Sequence, residues 1–357
     1  MSPEKKLRFA VIGCGGISRF HVNGLVKAGA EIACVVDVKP EAAEQYVQRH
    51  GARYTDDYRE AIEDASVDAV TVTTPSRLHF APALAALKAG KPVIVEKTLT
   101  DNVNNSLKLV QTVKDTGTLC FTAYMKRFFP AMQKAKELVP SLGQLISIHA
   151  RSWQPWGDIW TRPLTENDSA PSFFRRNYGG GMLVMGGSHI LDLTMWLVGR
   201  PARLWANQFS REGMDVDLRH TALMTLPDGG QAAGASVCFE ACGHPHRIIG
   251  YQKNGWEERI EINGLNGRLE IYPVWWDRPE QAPALLIHTD EKCGQVHEYR
   301  FPAVNSFDLE MAHFADCIRK GKQGSPDVHD GYAVDEVIAH ITKSAKTSKP
   351  LDVKFRD

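Results

Sequence analysis

The chain has no excess of charge of either sign: lysine plus arginine and aspartate plus glutamate both number 42 among 357 residues. No global field gathers a polyanion or an acidic lipid surface, so neither nucleic acid nor a membrane is an expected partner. Long apolar runs are also missing. None approaches the length of a membrane span, and the start MSPEKK leads into a strand-like run without the apolar core of a signal peptide. A cytoplasmic location is the expectation. Cysteine is sparse: seven residues, at 14, 34, 120, 238, 242, 293 and 317, odd in number and without a paired CxxC framework. They read as reduced thiols and exclude a disulfide scaffold. Internal repeats and low-complexity tracts are absent too, and the length suffices for two domains that each bury a core.

What is present is concentrated first in residues 7–37. There LRFAVI runs into Gly13-Cys14-Gly15-Gly16-Ile17-Ser18, a helix-like segment follows, and Glu31-IACVV ends on Asp37. A buried strand delivers a glycine turn, the turn lets backbone N–H groups approach a pyrophosphate, and the next helix offers that charge its positive end. Asp37 lies 22 residues past Gly15, where a carboxylate accepts hydrogen bonds from a ribose with both hydroxyls free. NAD is therefore favoured, with NADP kept open because Lys39 is close enough to soften the preference. Ser18 stands where a third glycine is expected. The alternative is a glycine turn in an α/β fold that binds nothing.

After Asp37 the pattern alternates helix and strand: helices over 40–50 and 58–63, a strand at 67–74, a helix at 78–89, a strand at 93–95, a helix at 102–116 and a strand at 119–123. Residues 1–123 thus read as a doubly wound parallel sheet. Beyond Ala123 the rhythm changes. A helix surrounds 131–139, a strand starts at Leu145, residues 154–178 form a loop rich in Trp, Pro and Arg, and a strong helix is expected over Met182–Val198. At least six strand-like runs between 202 and 301, separated by turn signals, imply an antiparallel sheet. Helices at 306–320 and 331–346 and a short strand at Leu351 end the second domain, 124–357, whose C-terminal helices are candidates for packing back on the first.

Ligands of open α/β sheets bind at the carboxyl ends of strands, which puts Glu96 and Lys97 near a cofactor. A lysine held close to a nicotinamide and partly desolvated is suited to share or relay a proton; a plain surface lysine is the competing reading. Thr74, Pro75 and His79 follow another strand and are read as the cofactor's rim. In the helix after Gly179-Gly180-Gly181, helical spacing places Met185, His189, Asp192 and Trp196 on one face. His189 is a candidate general base with Asp192 as its partner, against the alternative of a buried structural histidine.

These motifs, GCGGIS with Asp37, TTPSRLH, VIVEKTLT, GGGMLVMGGSHILD and DLEMAHFADCIRKGKQ, together resemble the glucose-fructose oxidoreductase, inositol dehydrogenase and rhizopine-catabolism (Gfo/Idh/MocA) family over nearly the whole chain. The resemblance implies an N-terminal Rossmann domain and a C-terminal substrate-binding and oligomerisation domain with an open-faced, mainly antiparallel sheet, hence a homodimer or homotetramer. It carries a catalytic lysine onto Lys97 and a catalytic histidine onto His189. Two residues depart from the family pattern. Thr98 replaces a proline, and Met185 stands where the family has an aspartate; a thioether cannot accept a proton or hold an imidazolium. His189 then works with Lys97 and Asp192, or a loop acid such as Asp158 or Asp168 substitutes, or alcohol oxidation is not the main activity.

For the substrate, Trp153, Trp156 and Trp160 are plates for a sugar ring, and Arg162, Arg175 and Arg176 suit hydroxyl or carboxylate groups. An oligomer contact is the even alternative. Cys238, Glu240, Cys242, His244 and His246 alternate, but not in a standard zinc spacing, with Gly243 and Pro245 expected to break the strand. No metal is expected, and His246 is read as a substrate or interface contact. The leading expectation is an NAD-dependent oxidation of a secondary alcohol of a sugar, cyclitol or polyol. The alternatives are an NAD-dependent glycosidase or lyase using transient oxidation, and a catalytically silent ligand-binding regulator.

Overall fold

The computed structural model describes residues 6–157, 160–161, 179–277 and 284–357. The chain divides into two units: unit 1 is Met1–Met125, Ser306–Asp335 and Arg356–Asp357, and unit 2 is Lys126–Asn305 and Glu336–Phe355. Residues 306–335 thus group with unit 1, although in sequence they follow the whole of the second sheet.

Unit 1 alternates strand and helix: β1 (Arg8–Ile12), α1 (Ser18–Lys27), β2 (Glu31–Val36), α2 (Pro40–His50), β3 (Arg53–Thr55), α3 (Tyr58–Glu63), β4 (Ala69–Val72), α4 (Phe80–Lys88), β5 (Val93–Glu96), α5 (Val103–Thr116) and β6 (Cys120–Ala123). The sheet is parallel with order β3-β2-β1-β4-β5-β6. Every residue of β4, β5 and β6 is buried, as expected of mainly apolar strands covered on both faces. The order reverses between β1 and β4, and a crevice at the carboxyl ends of such strands is where ligands bind. The short edge strand β3 escaped the sequence reading because three residues carry too little pattern. Helix α8 (Ser306–Lys320) packs on α1, with Phe307 stacked on Phe20 at 4.7 Å between ring centres.

Unit 2 begins with α6 (Pro130–Leu138) and β7 (Leu145–Pro155). Helix α7 (Ser188–Val198) precedes β8 (Arg203–Phe209), β9 (Arg219–Thr225), β10 (Ser236–His244), β11 (Glu257–Gly264), β12 (Gly267–Tyr272), β13 (Leu285–Asp290) and β14 (Gln295–Arg300). Helix α9 (Val328–Thr347) enters this unit at Glu336, and β15 (Leu351–Asp352) follows. The nine strands run β14-β13-β12-β11-β7-β10-β9-β8-β15. All neighbours are antiparallel except β7 and β10, which pair in parallel because β7 is inserted between strands that come much later in the chain. On one face Leu204, Ala206, Ala222, Met224, Val237 and Phe239 are buried, matching the buried residues Ile190, Leu191 and Leu193 of α7.

Candidate active site

In unit 1 the glycine turn is built by close approach and by openness. Gly13 has φ +94°, and a Cβ there would lie 2.7 Å from the Thr74 backbone nitrogen, so only glycine lets β1 end against β4. Gly15 and Gly16 are exposed, and a Cβ on either would meet nothing within 4 Å. Asp37 turns its carboxylate back into this loop, accepting the Cys14 N–H at 2.8 Å and the Lys39 N–H at 2.9 Å. Thr74 Oγ1 is buried and has no partner among the described residues. An open glycine loop at a helix start, an acid at the end of β2 and an orphaned hydroxyl on the rim fit a dinucleotide.

Some expected cofactor contacts turn out to support this cradle from behind. The Ser18 hydroxyl is 2.6 Å from Gly15 O and 2.7 Å from Tyr46 Oη, so the small residue in the third glycine position ties the loop to α2. Both His79 ring nitrogens face carbonyls, Thr98 O at 2.9 Å and Thr74 O at 2.7 Å, which joins the rim after β4 to the turn after β5. Burial pushes the His79 imidazole below its ordinary range despite those two acceptors. Glu96 is buried too, facing His21 and the Lys97 backbone. Ile17, Pro75 and Lys97 are half-buried, and the Lys97–Thr98 peptide is cis. Asp335 of α9 holds the same turn, accepting the Thr100 N–H at 2.9 Å and the Ser106 hydroxyl at 2.6 Å. Its Oδ1 has no partner among the described residues, and burial pushes its carboxyl up to about 7.

In unit 2 the expected helix starts as a π-helical turn, Leu183–Gly187, before α7. The helical spacing that put Met185 on the stripe of His189 therefore holds only from His189 onward. Such turns are frequent at functional sites. Two glycines let this segment sit directly on the sheet: a Cβ on Gly186 would lie 2.5 Å from Gln154 Nε2, and one on Gly187 would lie 3.1 Å from Ala241 Cβ. Asp217 caps its start, taking the Leu183 N–H at 2.8 Å. His189 is buried to 8% exposure. Asp192, expected as its partner, has both carboxylate oxygens held by Arg127, at 2.9 Å for Nε to Oδ2 and by Nη2 on Oδ1.

The profile described as "Oxidoreductase family, NAD-binding Rossmann fold" matches residues 7–124, and that of the GFO/IDH/MocA C-terminal domain matches residues 132–270. The chain belongs to the GFO/IDH/MocA oxidoreductase family. This GFO/IDH/MocA chain is 28% identical to scyllo-inositol 2-dehydrogenase (NAD(+)) of Bacillus subtilis (strain 168), covering 98% of each. It is 25% identical to D-xylose 1-dehydrogenase (NADP(+)) 2 of Haloferax volcanii, over 97% of this chain and 100% of that protein. In fold it matches a levoglucosan dehydrogenase solved with NADH and levoglucosan, at TM-score 0.83 and 22% identity, covering 98% of this chain and 100% of the other.

The remaining candidates of this family member divide. Arg162, Arg175, Arg176, Asp158 and Asp168 lie outside the described residues. Trp160 donates its Nε1–H to Gly243 O and stacks on Phe209 at 5.0 Å, so one of its faces is already covered. Trp153 packs against His244 at 5.6 Å between ring centres. His246 is exposed and stacks on His244 at 5.2 Å. Strand β10 runs through Gly243 to His244, and the alternation fails where Cys242 turns buried; among the described residues no group of His, Cys, Asp or Glu is arranged to hold a metal ion. Sequence reasoning missed His21, Arg127 and Asp335. His21 had a readable signal, an imidazole in an otherwise core-facing position of the helix that follows the glycine turn.

Proposed function

We propose that this chain oxidises a secondary alcohol of a sugar, cyclitol or related polyol with NAD, NADP being the weaker alternative. The observation that carries this reading is in unit 1: the turn bearing Lys97 leaves the carboxyl end of β5, and β5 neighbours β4, whose own end packs on the glycine loop. The relatives are named as dehydrogenases of inositol and xylose. When bound, NAD supplies the nicotinamide ring that takes hydride from the alcohol carbon.

Gly13, Gly15 and Gly16 would hold the pyrophosphate, Asp37 the adenosine ribose and Thr74 the rim of the site. Lys97 donates a hydrogen bond to the reacting hydroxyl oxygen and stabilises alkoxide charge as it develops, and His189 takes the hydroxyl proton. Asp192 holds Arg127, so its part is to fix the helix that carries His189. Trp160, Arg176 and His246 are the proposed substrate contacts. The glycosidase or lyase cycle and the silent regulator gain nothing from these relatives. The seven unpaired cysteines support a reducing, cytoplasmic setting. Exposed Trp205 and Leu223, directly paired across β8 and β9, support assembly of copies through the open sheet face as a dimer or tetramer.

The test mixes purified protein with NAD, and separately NADP, against scyllo-inositol, myo-inositol, D-xylose, levoglucosan and simple glycosides, following reduced cofactor by absorbance and products by mass spectrometry. NADH accumulating with one group is the expected result, and product without NADH would favour the lyase cycle. Lys97→Ala is expected to lower turnover by at least about 100-fold with NAD binding retained. Full activity in that variant removes Lys97 from the mechanism.

A further inference from the structure

A buried line of contacts in unit 1 runs from the helix after the glycine turn to the backbone of Lys97. His21, on α1, is fully buried. Its Nδ1 lies 2.9 Å from Thr71 Oγ1 on β4, and its Nε2 lies 3.0 Å from Glu96 Oε1 on β5. The other oxygen of Glu96 accepts the Lys97 N–H at 2.9 Å. One side chain of α1 thus reaches two adjacent strands of the sheet and, through Glu96, the first residue beyond it.

Burying an imidazole against a carboxylate is a costly way to fill space, and apolar residues of similar volume serve a core as well or better. The expense points to a task. Three groups face Glu96: His21 from α1, His79 from the turn before α4, and Lys97 beside it in the chain. Burial alone would push the Glu96 carboxyl up, yet the His21 hydrogen bond and these neighbouring charges outweigh it and hold the group below the ordinary glutamate range.

We infer that His21 and Glu96 are positioning residues for Lys97: Glu96 fixes the lysine's backbone and keeps a negative charge beside its ammonium, and His21 holds Glu96 in that orientation. The inference rests on the assignment of Lys97 to the reaction. It adds that one helix, α1, carries both the end that faces the dinucleotide and the side chain that sets the lysine, so the two are aligned by a single rigid element.

The test needs no substrate. The full-length protein is acylated with a trace of acetic anhydride across a pH series, and the extent of labelling at Lys97 is read by peptide mass spectrometry, with NAD binding followed in parallel. Glu96→Gln removes the negative charge, so the pH of half-labelling at Lys97 is expected to fall by about one unit or more. His21→Leu is expected to move it in the same direction. His21→Gln, whose amide still donates to Glu96, is expected to stay close to wild type, as is the exposed control Glu31→Gln. An unmoved Lys97 midpoint in Glu96→Gln overturns the inference. So does failure of both Glu96→Gln and His21→Gln to fold and bind NAD, which makes the pair a structural element only. A moved midpoint combined with full turnover in Lys97→Ala overturns the assignment of Lys97 instead, so the two failures are distinguishable.

Discussion

Asp335 offers a quantitative check on the electrostatics of unit 1. Its carboxyl is pushed by burial from an ordinary 3.8 up to about 7, with Asp101 adding to the effect and the Ser106 and Thr100 hydrogen bonds opposing it. The native state therefore keeps a proton that the unfolded chain has already lost between about pH 4 and pH 7. Stability then falls with rising pH across that window and levels off above it. At about 1.4 kcal/mol per pH unit the full effect is about 4 kcal/mol, an upper bound because burial is relieved by small relaxations. Asp335→Asn keeps an oxygen for the Thr100 N–H and the Ser106 hydroxyl but cannot ionise. The stability of the variant relative to wild type is expected to rise by up to about 2.5 kcal/mol between pH 5 and pH 8, the share of the effect that falls in that range. Differential scanning calorimetry of both proteins from pH 5 to 8 measures this as a gap in Tm that opens as pH rises. Parallel pH dependence of the two proteins, or a variant as destabilised at pH 8 as at pH 5, would refute the reasoning and show that Asp335 is ionised throughout.

Other sites give sharper separations of fold from function. Gly15→Ala meets no protein atom within 4 Å, so its Tm should stay near that of wild type while NAD affinity drops about tenfold or more, as titration calorimetry would measure. Asp37→Asn loses the charge facing the ribose and should shift the NADP to NAD ratio of kcat/KM upward by about tenfold, with an unchanged ratio counting against its role. Arg127→Met leaves Asp192 buried without its bidentate partner and is expected to cost about 3–5 kcal/mol in denaturant unfolding, part of which Asp192→Leu in the same chain should restore.

Much of unit 1 was legible because its signals are local. A buried strand, a glycine turn and an acid at the next strand's end lie within about thirty residues, and the helices over 40–50 and 58–63 were read with the bounds that α2 and α3 have. Unit 2 was legible as a sheet but not in its pairing. Nothing local in Leu145–Pro155 says that β7 lies beside β10 and β11, and that pairing makes one junction parallel. The site shows the same divide. Lys97 and His189 sit in motifs, whereas the partner of Asp192 is Arg127, 65 positions away, and Asp335 reaches Thr100 across 235 positions. Such pairs are set by tertiary packing and leave no spacing to read. The π-helical turn was missed for another reason: Leu183–Gly187 is a single turn, too short to show its own period, and the glycines that fit it against the sheet carry no helical signal.

The late return of residues 306–335 to unit 1 sets the order of events as the chain is made. Strand β6 is an edge of the parallel sheet, and what covers it is that late segment: Cys120 N–H donates to Gln323 Oε1 at 3.0 Å, Thr122 N–H to Pro326 O at 3.2 Å, and Phe121 bridges Asp327. About 200 residues separate Ala123 from Gln323, which at 5–20 residues per second is roughly 10–40 s of synthesis. Throughout that interval a strand that the finished fold buries completely has an uncovered edge, the kind of surface that templates association with other chains. The nascent protein is therefore at its most vulnerable while its second sheet is being made, and a fragment ending at Met125 is expected to aggregate where the whole chain folds.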